Sequence, residues 1–121
     1  MSLTSIAGAL LAIPTNVFPT LNQSLATAPA RALLWTLTYY GGYLVDDTYH
    51  NRGTICLEHG ATDEFLAAWG YDFNARVNTS NPFYDDMLHL FQALQIVVNN
   101  SPKTIGGGGA ELQPPPPPFC D

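Results

Sequence analysis

Apolar residues along this chain gather in short blocks separated by Pro, Gly, Asn and Asp, and the blocks differ in period. Residues 8–13, GALLAI, form a continuous apolar run closed by Pro14, which predicts a short buried strand. Residues 14–25 carry Pro14, Pro19 and several Asn, Thr and Ser, and read as loop. A helix is expected from Thr27, a good N-cap, with Pro29 tolerated in its first turn. Leu33, Leu37 and Tyr40 follow at helical spacing, Leu34 and Trp35 widen the stripe, and Gly41-Gly42 ends it. Strands are then predicted at 43–45 and 54–58 on either side of a turn at 51–53. Thr62 is expected to cap a short helix with Asp63 and Glu64 in its first turn, where the helix dipole favours them, and Gly70 to close it.

The clearest periodicity belongs to the last helix. Asn81 suits the N-cap and Pro82 the first helical position. Phe83, Met87, Leu90, Phe91, Leu94 and Val98 trace an apolar face, and Asp85, Asp86, His89 and Gln92 are assigned to the opposite, solvated face. His89 then pairs with Asp85 and Asp86 one turn away. Beyond Asn100 the periodic pattern stops. The glycines at 106–109 resemble a phosphate loop only superficially, because such a loop needs a strand before it and a helix after it, and prolines at 114–118 forbid the helix. They are expected to be a flexible joint or a place where backbones approach closely, and the prolines to favour a polyproline II rod. The predicted organisation is a single compact α+β domain over residues 1–105, with short strands and two or three helices, followed by an extended Gly/Pro-rich tail over 106–121.

Charge removes one class of partner. With 4 Lys plus Arg against 10 Asp plus Glu, the net charge is −6, and Arg31, Arg52, Arg76 and Lys103 are scattered. Nucleic acid is not expected as a partner, since phosphate binding needs clustered basic side chains. Only 12% of the residues are charged, about half the usual share, so solubility must come from Asn, Thr, Ser, Gly and Pro. No apolar run reaches the roughly 18 residues that would predict a membrane span.

The same composition points outside the cell. Asn22 and Asn78 open N-x-[ST] triplets and are expected glycosylation sites; a third triplet at Asn99 is followed by Pro102. Residues 6–13 have no basic residue before them and Pro14 after them, so they are read as a core strand rather than a signal segment. The two cysteines, Cys56 and Cys120, are most simply paired as one disulfide in a secreted chain. A buried Cys56 with a free Cys120, or a bridge between chains, are the alternatives.

Candidate chemistry centres on YYGGYLVDDTYHN, residues 39–51. Its apolar run stops at Asp46 and Asp47, with His50 three residues on. Neighbours on a strand point to opposite faces, so the two carboxylates cannot share one ion or proton unless the strand has turned. One can cap a turn while the other faces a cleft. Were Asp47 to converge with Glu58, which ends the next expected strand, the pair would suit glycoside hydrolysis. With Asn carbonyls the same carboxylates could instead hold Ca²⁺; no other cofactor is expected. Turn capping and solvation are the competing reading. Tyr39, Tyr40, Tyr43, Tyr49, Trp69, Tyr71 and Phe73, set among Asn and Asp, suit stacking on sugar rings, although most aromatics in a chain of this size belong to its core. The expected ligand contacts are Asp46, Tyr43, Tyr49, His50 and Trp69.

The blocks GALLAIP, WTLTYYGGYLVDDT, FLAAWGYDF, ALQIVVNN and IGGGG, in that order, resemble a group of secreted microbial proteins of uncertain function. In that group a helix ending in Tyr-Gly leads into a strand ending in Asp-Asp, often within the C-terminal part of a longer extracellular chain that handles polysaccharide. Phe83 stands where the group would have Trp, and Ser101 interrupts an Asn run. The resemblance implies fold and compartment, and a domain that is either complete or one part of a larger fold. Joined to the aromatics and carboxylates, it leads to the expectation of an extracellular domain that binds or acts on carbohydrate. The alternative is a non-catalytic structural or assembly protein that joins a neighbour, or a second copy of itself, through its proline-rich tail or a cysteine.

Overall fold

The fold was analysed on a computed structural model, which describes residues 8–45, 55, 57–73, 81–110 and 112–114. At its centre lies β1 (Leu10–Ala12), flanked by β2 (Gly42–Tyr43) and β3 (Gln95–Ile96) in one antiparallel sheet ordered β2-β1-β3. The registers pair Leu10 with Tyr43 and Leu11 with Ile96. Successive residues of a strand face opposite ways, and Leu10 and Leu11 are both buried, so both faces of the middle strand are covered. That explains the unbroken apolar run GALLAI.

Four helices complete the described elements: α1 (Phe18–Ser24), α2 (Ala28–Tyr39), α3 (Ala61–Trp69) and α4 (Pro82–Ala93). The single compact α+β domain expected from the sequence is present, with one helix more than predicted. That helix, α1, lies where a loop was read. Its Pro19 sits in the first turn, where the missing N–H does no harm. Val17 and Leu21, one turn apart, lean with Phe18 on the core, so packing overrides the polar composition.

Helix α2 begins at the expected N-cap Thr27 and turns Ala30, Leu34 and Thr38 inward at i, i+4 and i+8. Leu33 and Leu37 pack beside them, while Trp35 and Tyr40 stand exposed. The buried stripe is thus centred on Leu34, one helical position away from the side that carries Trp35. Its C-terminus shows how helix and sheet are joined. The Thr36 carbonyl accepts from both Tyr40 N and Gly41 N, and the Leu37 carbonyl, left over at the helix end, accepts from Ile13 N at 3.1 Å. Gly41 has φ +75°, and a Cβ there would lie 2.6 Å from the Leu11 carbonyl oxygen. The expected glycine stop is therefore required twice, by dihedral and by space.

Strand β2 starts one residue earlier than predicted; Leu44 still donates to the Ala9 carbonyl, and Val45 is exposed. The second expected strand, 54–58, lies partly outside the described residues. Its described end, Leu57 and Glu58, is not a strand, and the Glu58 carbonyl accepts from Ala61 N in the turn that opens α3. Gly60, not Thr62, is the N-cap of α3; Asp63 and Glu64 do occupy its first turn and Gly70 does close it.

Asn81 caps α4 as predicted, its Oδ1 accepting from Phe83 N at 3.1 Å. Phe83, Met87 and Leu90 are buried with Ile13, Leu25, Ala30 and Leu34 in the main cluster, and Phe65, Tyr71 and Phe73 pack their rings around Phe83. Two corrections follow. Asp86, assigned to the solvated face, is only 3% exposed. At about 100° per residue it lies roughly 60° from Phe83 and 40° from Leu90, at the edge of the apolar stripe. The helix also stops at Ala93: Leu94 is extended (φ −64°, ψ 136°), the chain continues as β3, and Val98 is exposed. Pairing with β1 takes residues 95–96 out of the helix that their apolar spacing predicted.

Past β3, Ser101 and Thr104 pair across a tight turn and a short 3-10 helix, Ile105–Gly107, follows. The Asn100 side chain accepts from Gly106 N at 2.8 Å. A Cβ on Gly107 would meet the Val98 carbonyl at 2.6 Å and Val97 Cγ1 at 2.9 Å, so this glycine marks a close backbone approach.

Candidate functional site

The residues expected to carry the site are not all within reach of the structure. Asp46, Asp47, Tyr49, His50, Cys56, Asn78 and Cys120 lie outside the described residues, and with them the Asp47–Glu58 pair and the Cys56–Cys120 bridge. Glu58 is exposed in the turn before α3. Tyr43 is 56% exposed on β2, and Trp69 is 46% exposed as the last residue of α3. Among the described residues no ring contact joins those two. Tyr71 and Phe73 belong to the core: Tyr71 stacks on Phe83 at 6.4 Å, and Phe73 meets Phe65 edge-on at 5.2 Å. Asn22 is half-buried within α1. No group of three or more His, Cys, Asp or Glu that could hold a metal ion occurs among the described residues.

What the fold does bring together is a set of aromatic rings at the C-terminal end of α2. Trp35 and Tyr39 are one turn apart, so their side chains lie along one face of the helix, with centroids 5.2 Å apart. Tyr40 meets the same indole at 5.6 Å. Phe18, from the first turn of α1, meets Tyr39 at 6.0 Å. All the pairs are tilted, the arrangement that aromatic quadrupoles prefer over a flat sandwich. Trp35 is 40% and Tyr40 51% exposed, so the cluster is anchored from below by Tyr39 and Phe18 and open above. Gly41 turns the chain directly from this cluster into β2 and its exposed Tyr43.

Arg31, one turn before Trp35, is committed to the Leu25 carbonyl, its Nη1 donating at 3.0 Å. Rigid aromatic rings held by neighbours, with polar tips and little charge, offer contact area at small conformational cost. They can stack on the C–H face of a sugar ring while phenol and indole groups exchange hydrogen bonds with its hydroxyls.

Sequence reasoning included Tyr39, Tyr40 and Tyr43 among the sugar-facing aromatics but counted Trp35 with the buried stripe and Phe18 with a loop. The spacing of Trp35 and Tyr39, four residues apart and a helical position off Leu34, was the available signal for the first. Phe18 had none, because its contact with Tyr39 depends on how α1 docks.

Set against protein-family models, curated proteins and solved structures, the chain has no match. No helix among the described residues is long and apolar enough to cross a membrane.

Proposed function

We propose that this domain binds carbohydrate, holding a glycan against the aromatic cluster of α2. The observation that carries the reading is the open, mutually braced set Trp35, Tyr39 and Tyr40, with centroid distances of 5.2 and 5.6 Å and two of the three rings exposed. Solvent-facing aromatics in contact with each other are costly to leave wet and are enriched where a ligand or partner covers them. An amide- and hydroxyl-rich surface with few charges fits an extracellular setting for such a ligand.

Glycan-array screening of the full chain, followed by calorimetric titration of the best ligand, tests the proposal. Trp35→Ala should abolish or strongly weaken binding while leaving the fold intact, because the ring is on the surface. Unchanged affinity in that variant removes the cluster from consideration.

Helix α3 favours a second reading, assembly. It has no buried residue; Phe65 leans on the core while Leu66 and Trp69, one turn apart, are exposed. An apolar pair of this kind is what a neighbouring subunit covers. Concentration-dependent mass by light scattering, lost in Leu66→Ser/Trp69→Ser, would support assembly; a monomer at all concentrations would eliminate self-association through α3.

A further inference from the structure

A groove of about 420 Å³ runs along α1. Helix α1 lays one stripe of residues into it, Val17, Thr20 and Leu21 at helical spacing, and the end of α4 with the start of β3 supplies the opposite wall through Gln92 and Gln95. Val17 and Leu21 also lean on the core, so they form a fixed apolar floor. Around that floor stand three carboxamides, Asn16, Gln92 and Gln95, and the Thr20 hydroxyl. Among the described residues none of the three carboxamides has a hydrogen-bond partner. Each can donate and accept at once.

Among the described residues no charged side chain lines the groove, and the chain as a whole carries −6. An anionic ligand would meet no counter-charge and an unfavourable overall field, and a cation would find no carboxylate. What remains complementary is a neutral, many-hydroxyl ligand with an apolar face. We infer that this groove is a second subsite, holding a sugar unit of a neutral glycan. The inference rests on the carbohydrate reading above and extends it, since Phe18 of the same short helix touches Tyr39 of the aromatic cluster. A single oligosaccharide would cross α1 from Trp35 and Tyr40 to the carboxamides.

Calorimetric titration of the full chain tests this, with neutral hexasaccharides from glucan, xylan and mannan set against an acidic oligogalacturonate. At least one neutral hexasaccharide should bind and the acidic one should not. Gln92→Ala/Gln95→Ala, which removes two exposed side chains, should raise Kd for the neutral ligand about tenfold with Tm unchanged. If the double variant binds as the parent does while Trp35→Ala does not bind, the groove is overturned and the aromatic reading stands. Loss in the double variant with Trp35→Ala unaffected has the opposite meaning, retaining the groove and overturning the cluster. Acidic ligand bound as tightly as neutral ligand overturns the charge argument, and no binding of any oligosaccharide overturns both sites.

Discussion

The carboxylate of Asp86 accepts two hydrogen bonds from Thr27 through one oxygen, from the backbone N–H at 2.8 Å and from the hydroxyl at 2.6 Å. Its other oxygen accepts from Ala26 N at 3.0 Å. A side chain of α4 thereby satisfies the backbone of the α1–α2 connection, 59 residues away in sequence. Thr27 stands at the N-cap of α2 but makes no side-chain cap of its own; its hydroxyl is given to Asp86 instead. The arrangement ties the connection that follows α1 to α4, whose end supplies one wall of the groove.

Asp86→Ala should therefore be severe. It strands the backbone N–H and hydroxyl of Thr27 in a buried place, at roughly 1 to 3 kcal/mol each before any relaxation, and frees the part-buried Ala26 N–H, so a total loss of about 3 to 5 kcal/mol is expected in urea unfolding. Thr27→Val removes a single donor and should cost about 1 to 2 kcal/mol. Equal losses in the two variants would show that the backbone bonds contribute nothing.

Gly41 offers a separate test of how α2 meets the sheet. In Gly41→Ala the left-handed backbone costs roughly 1 to 2 kcal/mol, and the methyl group must also displace the Leu11 carbonyl it would meet at 2.6 Å. Gly60→Ala is the control: φ is +89° there, but nothing lies within 4 Å of the added carbon. Destabilisation should be clearly larger at Gly41, and the difference between the two midpoints in denaturant measures the steric part. A matching pair of values would remove the close approach from the account.

The face of α4 can be checked with two leucines. Leu90 is fully buried in the main cluster and Leu88 is exposed. Leu90→Ala should cost about 2 to 5 kcal/mol through the cavity it leaves, whereas Leu88→Ala should stay within about 0.5 kcal/mol of the parent. Thermal unfolding of both variants would expose a wrongly oriented helix at once.

Thr38 is the one place among the described residues where a buried side-chain polar atom, its Oγ1, has no hydrogen-bond partner. Val has nearly the same shape and needs none. Thr38→Val is expected to stabilise the domain by about 1 kcal/mol, seen as a raised urea midpoint at constant m-value. A loss of stability instead would mean that an ordered water or a small shift satisfies the hydroxyl.

Asn81 with Pro82, Gly41 and Gly70 marked helix ends correctly from sequence, because capping chemistry acts within one turn and needs no distant partner. Thr27 with Pro29 also marked the start of α2, although the Thr27 hydroxyl serves Asp86 rather than its own helix. The apolar run 8–13 likewise announced a strand covered on both faces, and the order of most elements followed. Tertiary structure decided the rest. Residues 95–96 left the helical pattern because β1 offered its free edge, and α1 formed where a loop composition stood because Val17, Phe18 and Leu21 found the core. Asp86 could be buried only because Ala26 and Thr27 brought three donors to it. The candidate sites divide in the same way. That Tyr39, Tyr40 and Tyr43 belong near one another follows from their spacing along the chain, but the openness of Trp35, the brace from Phe18 and the groove between Thr20 and Gln92 arise from docking α1 against α2 and α4. Such long-range contacts leave no periodic trace in sequence, since burial and partner choice are set by which surfaces meet rather than by which residues are neighbours.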